Sequence, residues 1–143
     1  MSSDTQFDVP RPKPNVDADN APFWASVQKR KFVLMQCKEC GEWYWPAAYC
    51  RNHANKPFFG SLEWRQASGK GKIFAYNIHH IAFHPSFRRK VPYAYALIEL
   101  AEGPMFGTNI IDCDPQELFV GMPVAVKFVE EEGTILPLFS PDR

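Results

Sequence analysis

The chain has 143 residues, 45% hydrophobic and 15% aromatic, enough for one domain with a real core or one domain plus a small module. Sixteen Lys and Arg balance sixteen Asp and Glu, which argues against a generic nucleic-acid binder, since such proteins carry a basic excess. No apolar run approaches the roughly 18 residues of a membrane helix, and the polar, proline-bearing amino terminus is unlike a secretory signal, so a cytoplasmic protein without membrane association is expected.

Thirteen Pro and eight Gly interrupt short apolar runs, which favours strands and turns over a helix bundle. Residues 1–18 read as a flexible or extended arm, because Pro10, Pro12 and Pro14 disfavour helix. Asn20-Ala21-Pro22 then opens a helix, with Asn20 placed to cap it and Pro22 suited to its first turn. Phe23, Trp24 and Val27 share one face of that helix, either as core packing or as an aromatic face for a partner. Residues 31–36 (KFVLMQ) form a strand that leads into Cys37-Lys38-Glu39-Cys40. Residues 42–45 (EWYW) lead away to Pro46, and Cys50-Arg51-Asn52-His53 follows. Strand, knuckle, strand, second knuckle is the order of a zinc ribbon, so residues 19–60 are read as helix plus ribbon.

From residue 61 the pattern changes. Residues 61–67 (SLEWRQA) read as a strand, Ser68 to Gly71 as a turn, and residues 72–82 (KIFAYNIHHIA) as a long strand. Strict alternation would place Ile73, Ala75, Asn77 and His79 on one face and Phe74, Tyr76, Ile78 and His80 on the other. Residues 83–92 are a loop; residues 93–100 and 105–111 are strands joined by a tight turn. Asp114 caps a short helical turn reaching Leu118. Residues 124–131 and 134–139 form the last two strands. The fold class is mainly β: residues 61–143 make a five-stranded OB-type barrel behind the amino-terminal ribbon.

Cys37, Cys40, Cys50 and His53 supply four ligands of mixed sulfur and nitrogen, which suits a closed tetrahedral zinc site. Two disulfides are disfavoured without an export signal, and a rubredoxin-like iron would want four thiolates. Four protein ligands leave no open position for substrate, so the metal is structural. His79 and His80 are adjacent on a strand and point apart, and His84 precedes a proline; none is read as catalytic. Cys113 lies between Asp112 and Asp114, whose charges would raise its pKa and suppress the thiolate. Arg88, Arg89 and Lys90 are the one dense basic run, either a solvated loop or a hold for phosphates such as those of coenzyme A. No catalytic constellation is visible.

One ordered set of residues resembles a known family. Phe23-Trp24, Cys37-x-x-Cys40-Gly41 with Pro46 and Cys50, and Ser68-Gly69-Lys70-Gly71 ahead of Tyr76 are its first members. Val91-Pro92-Tyr93, Leu97-Ile98-Glu99-Leu100 with Glu102-Gly103, and Gly121-Met122-Pro123-Val124 complete it. Across residues 20 to 140 the chain resembles the DUF35 proteins. The resemblance implies a rubredoxin-like zinc ribbon joined to an OB-fold. It also implies a non-catalytic partner of a thiolase-fold enzyme (thiolase, acyltransferase or aldolase type) that helps to bind or channel acyl-CoA. The second knuckle departs from the family pattern by ending in His53 rather than cysteine.

Three functions are thus set against each other. The favoured one is a zinc-binding accessory subunit in a hetero-oligomer with a thiolase-fold enzyme, inactive alone. Its coenzyme A thioester would be a shared ligand, near Arg88, Arg89 and Lys90. Trp and Tyr are enriched in interface cores, so Phe23, Trp24, Trp43 and Trp45, with Tyr44, Phe58 and Phe59 nearby, are the expected partner contacts. The alternatives are a nucleic-acid-binding ribbon and OB module, which needs a basic groove, and a stand-alone metalloenzyme, which needs an open coordination position.

Overall fold

Residues 9–53 and 61–143 are described by the structure, a computed structural model. Residues 1–8 of the arm, and Phe58 and Phe59, lie outside the described residues. From Val9 the arm runs without helix or strand to a turn at residues 18–20. Helix α1 (Ala21–Gln28) follows and buries Phe23 and Val27. Asn20 does not cap it through its side chain. Pro22 lacks the N–H that a cap residue would engage at that position. Asn20 instead turns back to the arm: its Oδ1 accepts from Asp17 N–H at 2.8 Å, and its Nδ2 donates to the Asn15 carbonyl at 2.9 Å.

Strand β1 (Val33–Cys37) is the centre of a three-stranded antiparallel sheet, flanked by β2 (Trp43–Tyr44) and β3 (Leu62–Gln66). The strand at residues 62–66 therefore pairs with the ribbon, Met35 opposite Trp64 and Cys37 opposite Leu62, and takes no place among the barrel strands. The barrel consists of β4 (Lys70–His79), β5 (Tyr93–Leu100), β6 (Met105–Ile110), β7 (Pro123–Glu131) and β8 (Thr134–Pro141). It closes in the order β4-β5-β6-β8-β7, with β7 returning to pair with β4.

Strand β4 begins earlier than the glycine pair suggests, at Lys70, so Gly71 is a strand residue. A Cβ on Gly71 would stand 2.6 Å from the Glu99 carbonyl oxygen and 3.1 Å from Leu100 Cα. The close approach of β5 thus demands glycine, not a turn. Register shifts between Ile73 and Ala75, leaving Phe74 as a bulge. One extra residue reverses the alternation beyond it. Ile73 faces the core at 1% exposure; after Phe74 the inward set is Tyr76 and Ile78, opposite buried Ala96 and Ala94. The Tyr76 hydroxyl donates to the Leu118 carbonyl at 3.0 Å. Asp114 caps the 3-10 turn Pro115–Glu117 as expected, its Oδ1 accepting from Gln116 N–H at 2.9 Å.

Ribbon and barrel share one apolar core. Phe32, just before β1, packs edge-on against Phe106 of β6 and Phe139 of β8, with ring centroids 5.2 and 5.8 Å away. Phe23 of α1 and Trp45 meet the same Phe106 ring at 6.2 and 5.5 Å. Edge-to-face geometry adds to what burial of these rings supplies, so the helix, the ribbon sheet and the barrel are held as one packed unit.

Candidate metal centre and docking surfaces

The knuckle at Cys37 is closed by backbone. Cys37 N–H donates to the Glu42 carbonyl at 2.9 Å, and Gly41 N–H donates to the Cys37 carbonyl at 3.1 Å. Gly41 takes a φ of 78°, a conformation glycine adopts without strain. This turn and the segment at Cys50 bring the four sequence-predicted ligands together. One donor atom from each of Cys37, Cys40, Cys50 and His53 lies within 4.8 Å of the others.

The donor set fits zinc. Cys40 Sγ and Cys50 Sγ are 3.6 Å apart, close to the roughly 3.8 Å edge of a tetrahedron with 2.3 Å metal–sulfur bonds. His53 Nε2 is buried and has no hydrogen-bond partner among the described residues. A buried imidazole nitrogen left unpaired is costly, and a metal ion satisfies it. Its other nitrogen, Nδ1, lies 3.8 Å from Glu39 Oε2, the kind of outer partner that orients a ligating imidazole.

The thiols are prepared unequally. Cys37 and Cys40 are held below the ordinary thiol pKa, first by the backbone N–H groups of Cys40 and Glu42 respectively, and at Cys40 next by the Asn52 amide. Burial pushes Cys50 up. The Tyr44 hydroxyl stands 3.3 Å from Cys50 Sγ and accepts from Arg51 N–H at 3.2 Å. A bound cation would deprotonate the thiols outright. When bound, zinc would supply a crosslink between the knuckles, not a reaction centre, because all four ligands come from the chain. Tyr44 was expected near a partner contact but is buried beside the cysteine cluster, and Asn52 was not singled out; spacing carries no signal that assigns either of them to the cluster.

The remaining candidates do not gather at the Cys37–Cys40–Cys50–His53 cluster. His79 stacks on Tyr93 at 4.8 Å, with ring planes 4° apart, and meets the edge of Phe83. His84 caps a 3-10 turn (Pro85–Phe87) inside the loop at residues 83–92, with Nδ1 accepting from Ser86 N–H at 3.1 Å. Cys113 is raised as expected, but burial is the main cause, followed by the charge of Glu117; Asp114 is a lesser contributor.

Arg88, Arg89 and Lys90 follow that 3-10 turn. Lys90 is ion-paired with Glu131. Arg11 of the arm reaches the same carboxylate at 3.3 Å and donates to Asn109 Oδ1 at 2.8 Å. The Phe87 ring lies beneath both cations, 5.0 Å from the guanidinium and 5.4 Å from the ammonium. A cleft of about 370 Å³ lined by Arg88, Arg89 and Lys90 adjoins one of about 410 Å³ lined by Phe87, Tyr93, Ile110 and Leu138. Arg11, Lys90 and Glu131 line both clefts.

Of the aromatic residues expected at an interface, Phe23 is 1% exposed and belongs to the shared core. Trp24, Trp43 and Trp45 are half-buried. Trp24 and Trp45 both touch Phe23, at 5.1 and 4.3 Å, and Trp45 meets Trp64 at 6.3 Å. Trp64 was missed because its strand was read as part of the barrel.

A rubredoxin-like zinc ribbon followed by a closed OB barrel defines the class of protein. Two family models match accordingly: the ChsH2 rubredoxin-like zinc ribbon domain over residues 24–53 and the ChsH2 C-terminal OB-fold domain over residues 64–129. A DUF35 domain-containing scaffold protein of Methanocaldococcus jannaschii is 33% identical over 114 residues, 77% of this chain and 78% of its own length. The chain belongs to the DUF35 family. A probable enoyl-CoA hydratase alpha subunit of Thermomonospora curvata is 33% identical over 92% of this chain; the chain spans 40% of that relative's length. Among solved structures, a chain of an Ltp2-ChsH2(DUF35) aldolase superposes with a TM-score of 0.77 and 30% identity, covering 90% of this chain and 98% of that one. Among the described residues, no helix is long and apolar enough to cross a membrane.

Proposed function

We propose that the chain is a non-catalytic, zinc-clasped accessory subunit of a thiolase-fold acyl-CoA enzyme, of thiolase, acyltransferase or aldolase type. The observation that carries this reading is its likeness, over most of both chains, to a chain of the Ltp2-ChsH2(DUF35) aldolase, whose name couples two components. The closed ligand set supports it, because a metal held by four side chains has no position left for substrate. The half-buried indoles Trp24, Trp43 and Trp45 supply the partner contact. Arg88, Arg89 and Lys90 meet the phosphates of the coenzyme A thioester, and the apolar cleft beside them borders its passage.

Co-expression with the products of the neighbouring genes tests the reading. A stoichiometric complex is expected, and repeated failure to recover any thiolase-fold partner would overturn it. Within the complex, Arg88→Glu with Arg89→Glu should raise KM for acyl-CoA about tenfold with little change in kcat, the pattern of lost ground-state binding. An unchanged KM would remove these arginines from the coenzyme A path.

A further inference from the structure

A cavity of about 710 Å³ opens between the arm, helix α1 and the ribbon sheet. Its wall carries Trp24, Trp45, Trp64 and Met35, and its mouth carries Asp17 and Asp19. The volume falls within the range of ligand pockets, which are apolar with a few placed polar groups. No basic side chain lines it among the described residues. Both carboxylates are exposed. Asp17 Oδ1 accepts from the N–H groups of Asp19 and Asn20, each at 2.9 Å, and neither aspartate is ion-paired among the described residues. Three indoles with two carboxylates at the rim attract one kind of group above others: a cation on an apolar stem. The indole face is the strongest aromatic partner for such a cation, and the carboxylates complement its charge. The same acidic mouth repels the phosphates of coenzyme A, so this cavity and the Arg88–Lys90 cleft serve different ligands.

We propose that the Trp24–Trp45–Trp64 cavity seats an arginine or lysine side chain, with its apolar neighbours, from the protein to which this chain docks. This rests on the docking-subunit reading and adds the chemistry of one contact. Arginine fits best, since its planar guanidinium stacks on indole and pairs with carboxylate at its edge. The partner is a protein segment because the cavity is an open mouth continuous with the half-buried aromatic face of α1 and the ribbon, wide enough for a charged residue and its flanking side chains.

The full chain is titrated with Ac-Leu-Arg-Leu-Leu-Arg-Leu-NH2, with the same peptide carrying citrulline for arginine, and with choline. Binding is read from the indole N–H resonances, assigned by Trp24→Phe, Trp45→Phe and Trp64→Phe. The arginine peptide should move those three resonances saturably and bind about tenfold tighter than the citrulline peptide. An Asp17→Asn, Asp19→Asn double variant keeps the acceptor of the turn and should erase that preference. Equal binding of the two peptides, or no saturable shift of these indoles, would overturn the proposal. Choline matching the arginine peptide would overturn the protein-segment assignment in favour of a small cation. A double variant that captures the thiolase-fold partner as strongly as wild type would remove the cavity from docking while leaving the subunit reading intact.

Discussion

His53 shows how one side chain decides the nature of a site. Its buried Nε2 has no partner among the described residues, while Nδ1 faces Glu39. Nothing among the described residues completes it, and three sulfurs converge on the same point, where a metal ion would. The purified chain should therefore carry one zinc, measured by elemental analysis. His53→Ala should weaken zinc by more than the roughly 10–100-fold that outer-shell changes cost, whereas His53→Cys should retain it. Zinc content unchanged in His53→Ala would remove this residue from the ligand set. Glu131 is a second single-residue case. Burial is the largest influence on its carboxyl and pushes the pKa up, but Lys90 and Arg11 together outweigh it and hold the group below its ordinary value of 4.5. A lowered carboxyl contributes stability that is complete above the ordinary value and lost as pH falls through the lowered one. Glu131→Gln should thus cost about 1 kcal/mol at neutral pH, with the gap from wild type closing as pH drops below that range in paired denaturation curves. A gap independent of pH would contradict this.

At the scale of elements, β4 carries the clearest lesson. Gly71 lies against the backbone of β5, so Gly71→Ala should destabilise by about 1–3 kcal/mol through overpacking, read as a lower Tm in thermal unfolding; an unchanged Tm would contradict the close approach. Sequence reading took this glycine for a turn because glycine marks turns and close contacts alike. The bulge at Phe74 escaped for a related reason: a period-two pattern has no way to mark an inserted residue, and Phe74, left exposed, is itself large and apolar. Strands β5 to β8 were legible because each alternates cleanly or is bounded by Gly and Pro. The cluster of Cys37, Cys40, Cys50 and His53 was legible because two short pairs of chelating residues are rare by chance. Trp64 was not, because its place beside the ribbon depends on a pairing between residues 33–37 and 62–66 that no local pattern announces.

For the molecule as a whole, the zinc ribbon and barrel act as one body because Phe23, Phe32, Phe106 and Phe139 sit in a common core. Metal binding and folding are linked in such ribbons, so stripping zinc should loosen the sheet of β1, β2 and β3 and weaken the faces that α1 presents beside it. The two proposals assign separate surfaces: the acidic, indole-lined cavity on the ribbon side to a protein partner, and the cleft at Arg88, Arg89 and Lys90 on the barrel side to an acyl-CoA.

Thioester turnover, measured on the zinc-loaded chain alone, on the thiolase-fold enzyme alone and on the two mixed at equal concentration, separates a silent docking body from a catalyst. No turnover by the isolated chain, and turnover by the mixture well above that of the partner alone, is the expected result. Hydrolysis or transfer of an acyl-CoA by the chain unaided would contradict the account.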